Sequence, residues 1–253
     1  MLKLMSRGKQ RSRTNQRETK RTRMVKIGLL GLAAVAVVSL AVIAVNRPAV
    51  VSTYVAPADA FSPAPTQTPM PTAVFIGDSY TAGTGSTSTD HAFPTLVAAA
   101  EGWHLENLGR GGTGYLATSG KLGCGLAYCP NYREMIAAAK KVDPTIVVVS
   151  GGRNDLGKAG VAKQVTGFYT DLRAAFPKAT ILATSPLWDD DPAPALIGSL
   201  GGEVKTAVKA VGGTYLDIGE PLLGHADDVI SDGVHPNDGG HALIAAAISK
   251  ARG

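Results

Sequence analysis

The chain has little of several features that would assign it to a special class of protein. Its 253 residues include two cysteines, 6% aromatic residues and 18% charged residues. Two cysteines exclude a disulfide-dense mini-protein, the 30 glycines lack the strict repeat of collagen, and a single long apolar run excludes a multi-span membrane protein. The hydrophobic fraction of 45% is too high for a disordered chain. The composition therefore predicts one globular domain with appendages.

The positive charge of the chain is concentrated at its N-terminus. Residues 1–26 carry ten Lys and Arg against Glu18, a balance of +9, whereas the whole chain has a net charge of +5. The remainder is therefore mildly acidic, at −4. Such a body is a poor match for a phosphate backbone, so we expect no nucleic-acid partner. We interpret residues 1–26 as a basic cytoplasmic tail.

An uncharged apolar run of nineteen residues follows, from Ile27 to Val45. As a helix it would cover roughly the 30 Å hydrocarbon core of a bilayer. The basic residues before it place the N-terminus in the cytoplasm and the body outside. Residues 27–45 therefore predict one transmembrane helix or signal anchor at the cell membrane. The alternative is a signal peptide cleaved after Ala44 or Ala60, which would leave a secreted protein.

The composition changes again at residues 46–72, which hold six prolines among Ala, Thr and Ser. This segment cannot bury a core and is typical of an extended linker. In residues 73–253, apolar segments alternate with segments of helical spacing, which predicts an α/β fold with a parallel sheet covered on both faces. The predicted strands lie within residues 72–79, 103–109, 144–152, 179–186 and 213–219. The predicted helices lie within residues 93–102, 131–142, 161–176, 203–211 and 239–251.

The residues that follow the predicted strands carry the chemistry, and open parallel sheets bind ligands at that edge. Ser79 follows the first strand, Asn154 follows the third, and Asp232 and His235 precede the last helix. A serine nucleophile needs a base within hydrogen-bond reach, and histidine exchanges a proton near neutral pH. The short gap lets Asp232 reach one ring nitrogen of His235 and leave the other facing Ser79. With amide donors for an oxyanion, these residues predict acyl transfer.

Four segments in this order resemble the SGNH/GDSL hydrolase family: FIGDSYTAG, NLGRGG, GGRND and DGVHP. The resemblance covers the chain from Ala73 onward. It implies a flavodoxin-like three-layer sandwich around a central parallel sheet of about five strands. It also implies a serine esterase or acyl hydrolase with Ser79 as nucleophile, His235 as base and Asp232 orienting the imidazole ring.

The resemblance further implies an oxyanion hole built from the backbone amides of Ser79 and Gly112 and the side chain of Asn154. Gly109 and Gly111 remain alternatives to Gly112. The sequence departs from the family pattern at Tyr80, where many members have Leu. We expect this departure to affect packing or the pocket wall and to leave the catalytic set intact.

Other polar residues near the strand ends have structural interpretations. Asp78 and Asp155 lie at turns, where carboxylates commonly accept hydrogen bonds from backbone amides. We interpret Asp189–Asp191 as a solvated loop, with Trp188 beside it as a candidate for the pocket wall.

The two cysteines, Cys124 and Cys129, lie in one glycine-rich loop and are predicted to form a disulfide in an oxidising medium. The remaining histidines lack a metal-ligand spacing, so we predict no metal site and no cofactor. These histidines are His91, His104, His225 and His241. We expect a monomer.

The sequence thus predicts an extracytoplasmic serine esterase that forms an acyl-enzyme on Ser79. Its substrate would be a small-molecule ester or an acyl group on an envelope glycan or lipid. One alternative is an acyltransferase to a sugar or lipid hydroxyl, since water and alcohols attack the same intermediate. The other is an inactive module that binds acylated glycans, although such a module would be expected to lack Ser79 or His235.

Overall fold

In the computed structural model of the protein, the described residues are 69–253. They contain a five-stranded sheet, parallel throughout, in the order β2-β1-β3-β4-β5. The strands are β1 (Thr72–Gly77), β2 (His104–Asn107), β3 (Ile146–Ser150), β4 (Thr180–Thr184) and β5 (Thr214–Leu216). All five lie within the segments predicted as strands. This strand order is that of flavodoxin-like folds, so the prediction of an α/β sandwich is confirmed at that level.

The helices that the structure describes alternate with these strands. They are α1 (Ser79–Ala82), α2 (Phe93–Glu101), α3 (Lys121–Cys124), α4 (Tyr132–Ala139), α5 (Val161–Ala175), α6 (Ala195–Ala210) and α7 (Asp238–Arg252). Short 3-10 turns occur at Thr89–His91, Arg153–Asp155 and Ala226–Asp228. Between residues 69 and 253, no helix has both the length and the apolar character needed to cross a membrane. The predicted transmembrane helix, the basic tail and the linker up to residue 68 lie outside the described residues.

Each face of the sheet has its own hydrophobic core, because successive strand residues point to opposite faces. Val74 and Ile76 of β1 belong to the core that contains residues of α4, α5 and α6. Phe75, between them in sequence, belongs to the core that contains residues of α2 and α7. All three are fully buried, and burying such a side chain contributes about 1.5–3 kcal/mol to folding. Helices therefore cover both faces, which makes three layers.

The one large error in the predicted helices concerns α6. The spacing predicts a helix within residues 203–211, whereas α6 begins eight residues earlier, at Ala195. Three glycines interrupt the apolar pattern of its first half: Gly198, Gly201 and Gly202. A Cβ atom on Gly201 would lie 3.0 Å from Tyr215 Oη and 3.4 Å from Pro186 Cδ. This glycine therefore permits a close tertiary contact, a role that helical periodicity does not reveal.

The sheet has its topological switch point at β1 and β3. The chain moves from β1 to β2 in one direction and then returns to place β3 on the other side of β1. The connections after β1 and β3 consequently diverge and leave a crevice at the carboxyl ends of these two strands. Ser79 follows β1 and Asn154 follows β3, so both lie at this crevice.

Candidate active site

Ser79 is the first residue of α1 and follows a tight turn at the end of β1. The turn is held by Asp78, whose Oδ1 accepts a hydrogen bond from the Tyr80 amide at 3.1 Å. Burial raises the pKa of Asp78 to about 6, against the opposing effects of hydrogen bonds from the Tyr80 and Gly152 amides and the charge of Arg153. The prediction that Asp78 holds backbone amides is confirmed. Ser79 itself is buried, and its amide stands where a helix offers no internal acceptor.

His235 and Asp232 form a hydrogen-bonded pair on one turn. His235 Nδ1 lies 2.6 Å from Asp232 Oδ2. The other carboxylate oxygen accepts the amides of Val234 and His235, each at 2.9 Å. Partial burial acts to raise the pKa of Asp232, but these hydrogen bonds and the nearby His235 outweigh it and lower the pKa to about 2. Asp232 is therefore ionised at all ordinary pH values, as an orienting carboxylate must be.

Asn154 and the glycine segment after β2 are also brought together. Asn154 Nδ2 donates at 3.0 Å to the carbonyl of Thr113, the residue that follows Gly112 in the chain. Gly112 has φ +73°, where a side chain would be strained. The amide of Gly109 already donates to Asn107 Oδ1 at 2.9 Å. Gly109 is thus the least suited of the three glycines to serve as an oxyanion donor.

Asp155 holds the segment that follows the glycines in place. Its carboxylate accepts three consecutive backbone amides: Tyr115 at 2.6 Å, Leu116 at 3.1 Å and Ala117 at 2.7 Å. Burial raises the pKa of Asp155, and the three hydrogen bonds act in the opposite direction. The structural interpretation of Asp155 is confirmed, because this carboxylate anchors the segment that follows the glycines.

The turn with Ser79 and the turn with His235 touch through two contacts. The hydroxyl of Tyr80 donates to the carbonyl of Val234, and the rings of Tyr80 and His235 meet edge to face at 5.9 Å. After α1, a Cβ atom on Gly85 would collide with the Pro236 carbonyl, so this loop also packs on the histidine turn. Among the residues that the structure describes, no hydrogen bond joins Ser79 Oγ to His235. Catalytic hydrogen bonds often shorten only when substrate is bound.

Comparison with known proteins identifies this arrangement. Residues 75–243, which include Ser79, Asn154 and His235, match the GDSL-like Lipase/Acylhydrolase family. The chain belongs to this family. It is accordingly a hydrolase that acts on ester bonds.

Individual relatives agree with this assignment. GDSL lipase Rv0518 from Mycobacterium tuberculosis is 29% identical over 191 residues, which are 69% of this chain and 78% of that protein. A carbohydrate esterase family 2 enzyme from Corynascus thermopiles (Myceliophthora fergusii) has a TM-score of 0.54 at 22% identity, covering 76% of this chain and 68% of its own. The salicylyl-acyltransferase SsfX3 has a TM-score of 0.51 at 20% identity, and the match covers 74% of this chain and 55% of that protein. The two structural likenesses show the fold alone.

Sequence reasoning missed a cluster beside the site of this GDSL hydrolase. Arg153 donates to Tyr80 Oη at 2.6 Å and to Asp189 Oδ2 at 2.9 Å, and its guanidinium lies 4.2 Å from the ring centre of Trp188. The interpretation of Asp189 as part of a solvated loop is wrong, because Asp189 is buried against Arg153. A run of three consecutive aspartates is typical of a solvent-exposed loop. Only the fold shows that the partner of one of them lies 36 residues away.

The predicted disulfide between Cys124 and Cys129 is present. It closes a loop that packs on the glycine segment of the GDSL hydrolase, since a Cβ atom on Gly111 would collide with the carbonyl oxygen of Gly123. Within residues 69–253, no group of three or more His, Cys, Asp and Glu side chains could hold a metal ion.

Proposed function

We propose that this GDSL hydrolase is an extracytoplasmic serine esterase that removes acyl groups from envelope glycans or lipids through an acyl-enzyme on Ser79. The observation that carries the proposal is the His235–Asp232 pair, joined at 2.6 Å on a turn that packs against the residue next to Ser79. A histidine held in this way is a general base, and a serine at a strand-to-helix turn is its natural nucleophile.

Acylation follows from the positions of the protons. Asp232 accepts a hydrogen bond from the Nδ1–H of His235, which leaves Nε2 free to take the proton of Ser79 Oγ. The serine oxygen then attacks the ester carbonyl carbon, and the carbonyl oxygen becomes anionic. When this intermediate collapses, the bond to the alcohol oxygen breaks and His235 returns its proton to the departing alcohol. Ionised Asp232 stabilises the imidazolium between these two transfers.

The oxyanion would be stabilised by fixed N–H donors. We assign this role to the amides of Ser79 and Gly112 and to the side chain of Asn154. Asn154 suits it because one hydrogen of its amide group is used to hold Thr113, which leaves the other for the substrate. Donors fixed in advance cost no reorganisation during the reaction.

Deacylation repeats the sequence with water as the nucleophile. His235 takes a proton from water, the hydroxide attacks the acyl carbon, and Ser79 leaves with the proton that His235 returns. An alcohol could replace water, which makes an acyltransferase to a sugar or lipid hydroxyl the second candidate. One fold neighbour is named an acyltransferase and another a carbohydrate esterase. We favour hydrolysis because the matching relative is named a lipase and the family is described as acylhydrolases. An inactive glycan-binding module is disfavoured because Ser79, His235 and Asp232 are all present.

The proposed location rests on the sequence and on the disulfide. Residues 27–45 would anchor the protein with its N-terminus in the cytoplasm, and cleavage after Ala44 or Ala60 is the secreted alternative. Disulfides persist in oxidising compartments, so the Cys124–Cys129 bond supports placing the catalytic domain outside the cytoplasm. Mass spectrometry of the chain recovered from both the cell membrane and the culture medium distinguishes the two. A mature N-terminus after either cleavage site would rule out the anchor.

The activity itself is tested with the full chain in a mild nonionic detergent and p-nitrophenyl esters from acetate to palmitate. We expect cleavage with a chain-length preference, reduced at least about 1,000-fold in Ser79→Ala. Ser199→Ala, at an exposed serine of α6, is the matched control and should retain full activity. A fluorophosphonate probe should modify Ser79 and no other serine. Undiminished cleavage by Ser79→Ala would show that the nucleophile lies elsewhere.

A further inference from the structure

We propose that Arg153 and Tyr80 are positioning residues that hold the catalytic base of this hydrolase in register with Ser79, through a chain of contacts from Asp189 to the backbone of Val234. The inference rests on the proposed role of His235. It concerns a position at which this sequence departs from the family pattern, because Tyr80 stands where many members have Leu and supplies a hydroxyl that Leu lacks.

The first link in this series of contacts is the guanidinium of Arg153, which is held on three sides. Arg153 pairs with Asp189, and the two side chains are only 11% and 10% exposed. Its plane also stacks on Trp188, with 4.2 Å from the guanidinium carbon to the ring centre. An arginine that is paired, stacked and largely buried has little rotational freedom. Its remaining Nη1 donor is therefore aimed in a defined direction, toward Tyr80 Oη at 2.6 Å.

The direction of the next hydrogen bond follows from the chemistry of arginine. A guanidinium can only donate, so the Tyr80 oxygen must accept from Arg153 and use its single proton elsewhere. The carbonyl of Val234 is the acceptor that the structure places there. Burial raises the pKa of Tyr80, so the hydroxyl keeps this proton. The orientation Arg153 to Tyr80 to Val234 is thus unambiguous.

The last link in this series of contacts is the turn that carries the catalytic base, His235. Val234 immediately precedes His235, and the Tyr80 ring also meets the imidazole edge to face at 5.9 Å. The opposite side of this turn is held by backbone hydrogen bonds, among them one from the Ile230 amide to the His235 carbonyl at 2.8 Å. Asp232 is 43% exposed and cannot by itself fix the turn against the domain. Tyr80 is also the neighbour of Ser79 in the chain, so it ties the base directly to the nucleophile.

Tyr80→Phe tests this link, because it keeps the ring and removes only the hydroxyl. A misplacement of about 1 Å can cost up to about 100-fold in rate, so we expect kcat to fall about 10- to 100-fold. We expect KM to change less than about twofold, because no contact with substrate is removed. The labelling rate of Ser79 by a fluorophosphonate should fall in parallel. The matched control is Tyr128→Phe, which removes an exposed hydroxyl bonded to Glu134 and should change neither constant.

Arg153→Lys supplies a second, independent variant. Lysine keeps the charge but cannot bridge Tyr80 and Asp189 in the same fixed plane. It should also lower kcat with little change in KM, and adding Tyr80→Phe to it should lower kcat by less than about threefold more, because both act through one chain of contacts. Arg133→Lys, in the exposed pair with Asp171, is the matched control. Fully multiplicative effects of the two substitutions would overturn the proposal.

A measurement that does not depend on activity separates this inference from the proposed function. With histidine labelled by 13C in the full chain, NMR relaxation of the His235 ring reports its order directly. We expect greater ring motion in Tyr80→Phe and Arg153→Lys than in the wild type, and unchanged motion in the Tyr128→Phe control. Unchanged His235 motion would overturn the positioning role. Retained cleavage by Ser79→Ala would instead overturn the proposed function, and the NMR result would still decide what holds His235.

Discussion

The turn that carries Ser79 and the turn that carries His235 are held in place by different means. The first is buried, with Asp78 1% exposed and Ser79 8%. Its own carboxylate accepts the Tyr80 amide, and strand-end residues such as Ser150 and Gly152 pack around it. The second is open to solvent, with Asp232 43% and His235 22% exposed at their side chains. It contacts the nucleophile side through Tyr80, 154 residues away from Val234, and through the packing of Gly85 on Pro236.

Because of this difference, substitutions near the nucleophile and near the base should affect the protein in different ways. A buried turn capped by its own carboxylate keeps its shape as long as the sheet is folded. An exposed turn keeps its internal geometry through Asp232, but its position relative to Ser79 depends on distant contacts. Substitutions in the first turn should therefore affect stability as well as rate, whereas substitutions in the second should affect rate with little effect on stability.

The largest expected effect is that of Asp232→Asn. An asparagine can present an N–H to His235 and favour the wrong tautomer, and it cannot stabilise the imidazolium. We expect kcat to fall about 10,000-fold, with a small change in melting temperature because the side chain is partly exposed. Rate and melting temperature are measured on the same preparation. A large loss of stability with a small loss of rate would contradict the comparison.

The next effect concerns Asn154→Ala, which removes the proposed oxyanion donor at the nucleophile side. We expect a loss of about 100- to 1,000-fold in kcat with little change in KM. Asn154 also donates to Thr113, so a modest drop in melting temperature should accompany the loss of rate. An unchanged kcat would remove Asn154 from the oxyanion hole.

A pH-dependent effect is expected at Asp78. Its pKa is raised to about 6 in the folded state from 3.8, so the folded state binds more protons than the unfolded state between these pH values. The contribution of the Asp78 carboxyl to the unfolding free energy is therefore fully present below about pH 4 and is lost as the pH rises through about 6. Asp78→Asn lacks this titration. The unfolding free energy of the variant minus that of the wild type should therefore rise between pH 4 and pH 7, by an amount on the order of 3 kcal/mol. Denaturant titration at each pH measures this difference. A difference independent of pH would show that Asp78 is charged throughout.

The smallest effect is expected for the disulfide. Cys124 and Cys129 are five positions apart, and closing so short a loop stabilises by about 2 kcal/mol on chain-entropy grounds. The double variant Cys124→Ser and Cys129→Ser should lose about this much unfolding free energy. Because the loop packs on Gly111, kcat should fall severalfold as well. Labelling of both cysteines without reductant would show that the bond is absent from the protein in solution.

The element pattern could be predicted because it depends on local properties of the chain. Apolar strand segments and helical spacing place all five strands in residues 69–253, and the four motif segments place Ser79, Asn154, Asp232 and His235 at one edge of the sheet. The pattern failed at the start of α6, where Gly201 makes room for Tyr215. It also failed at Asp189, whose partner is Arg153. In both places the deciding contact joins residues that are distant in sequence.

By itself, the sequence determined the parallel α/β architecture, the family, the residues proposed for catalysis and, with only two cysteines, the disulfide pairing. These follow from periodicity, motif order and chemistry, which are properties of neighbouring residues. Only the tertiary structure decided how the base is held beside the nucleophile. The contacts among Arg153, Tyr80 and Asp189 span 73 and 36 residues, and no local pattern predicts a hydrogen bond whose two ends meet only after the sheet has formed.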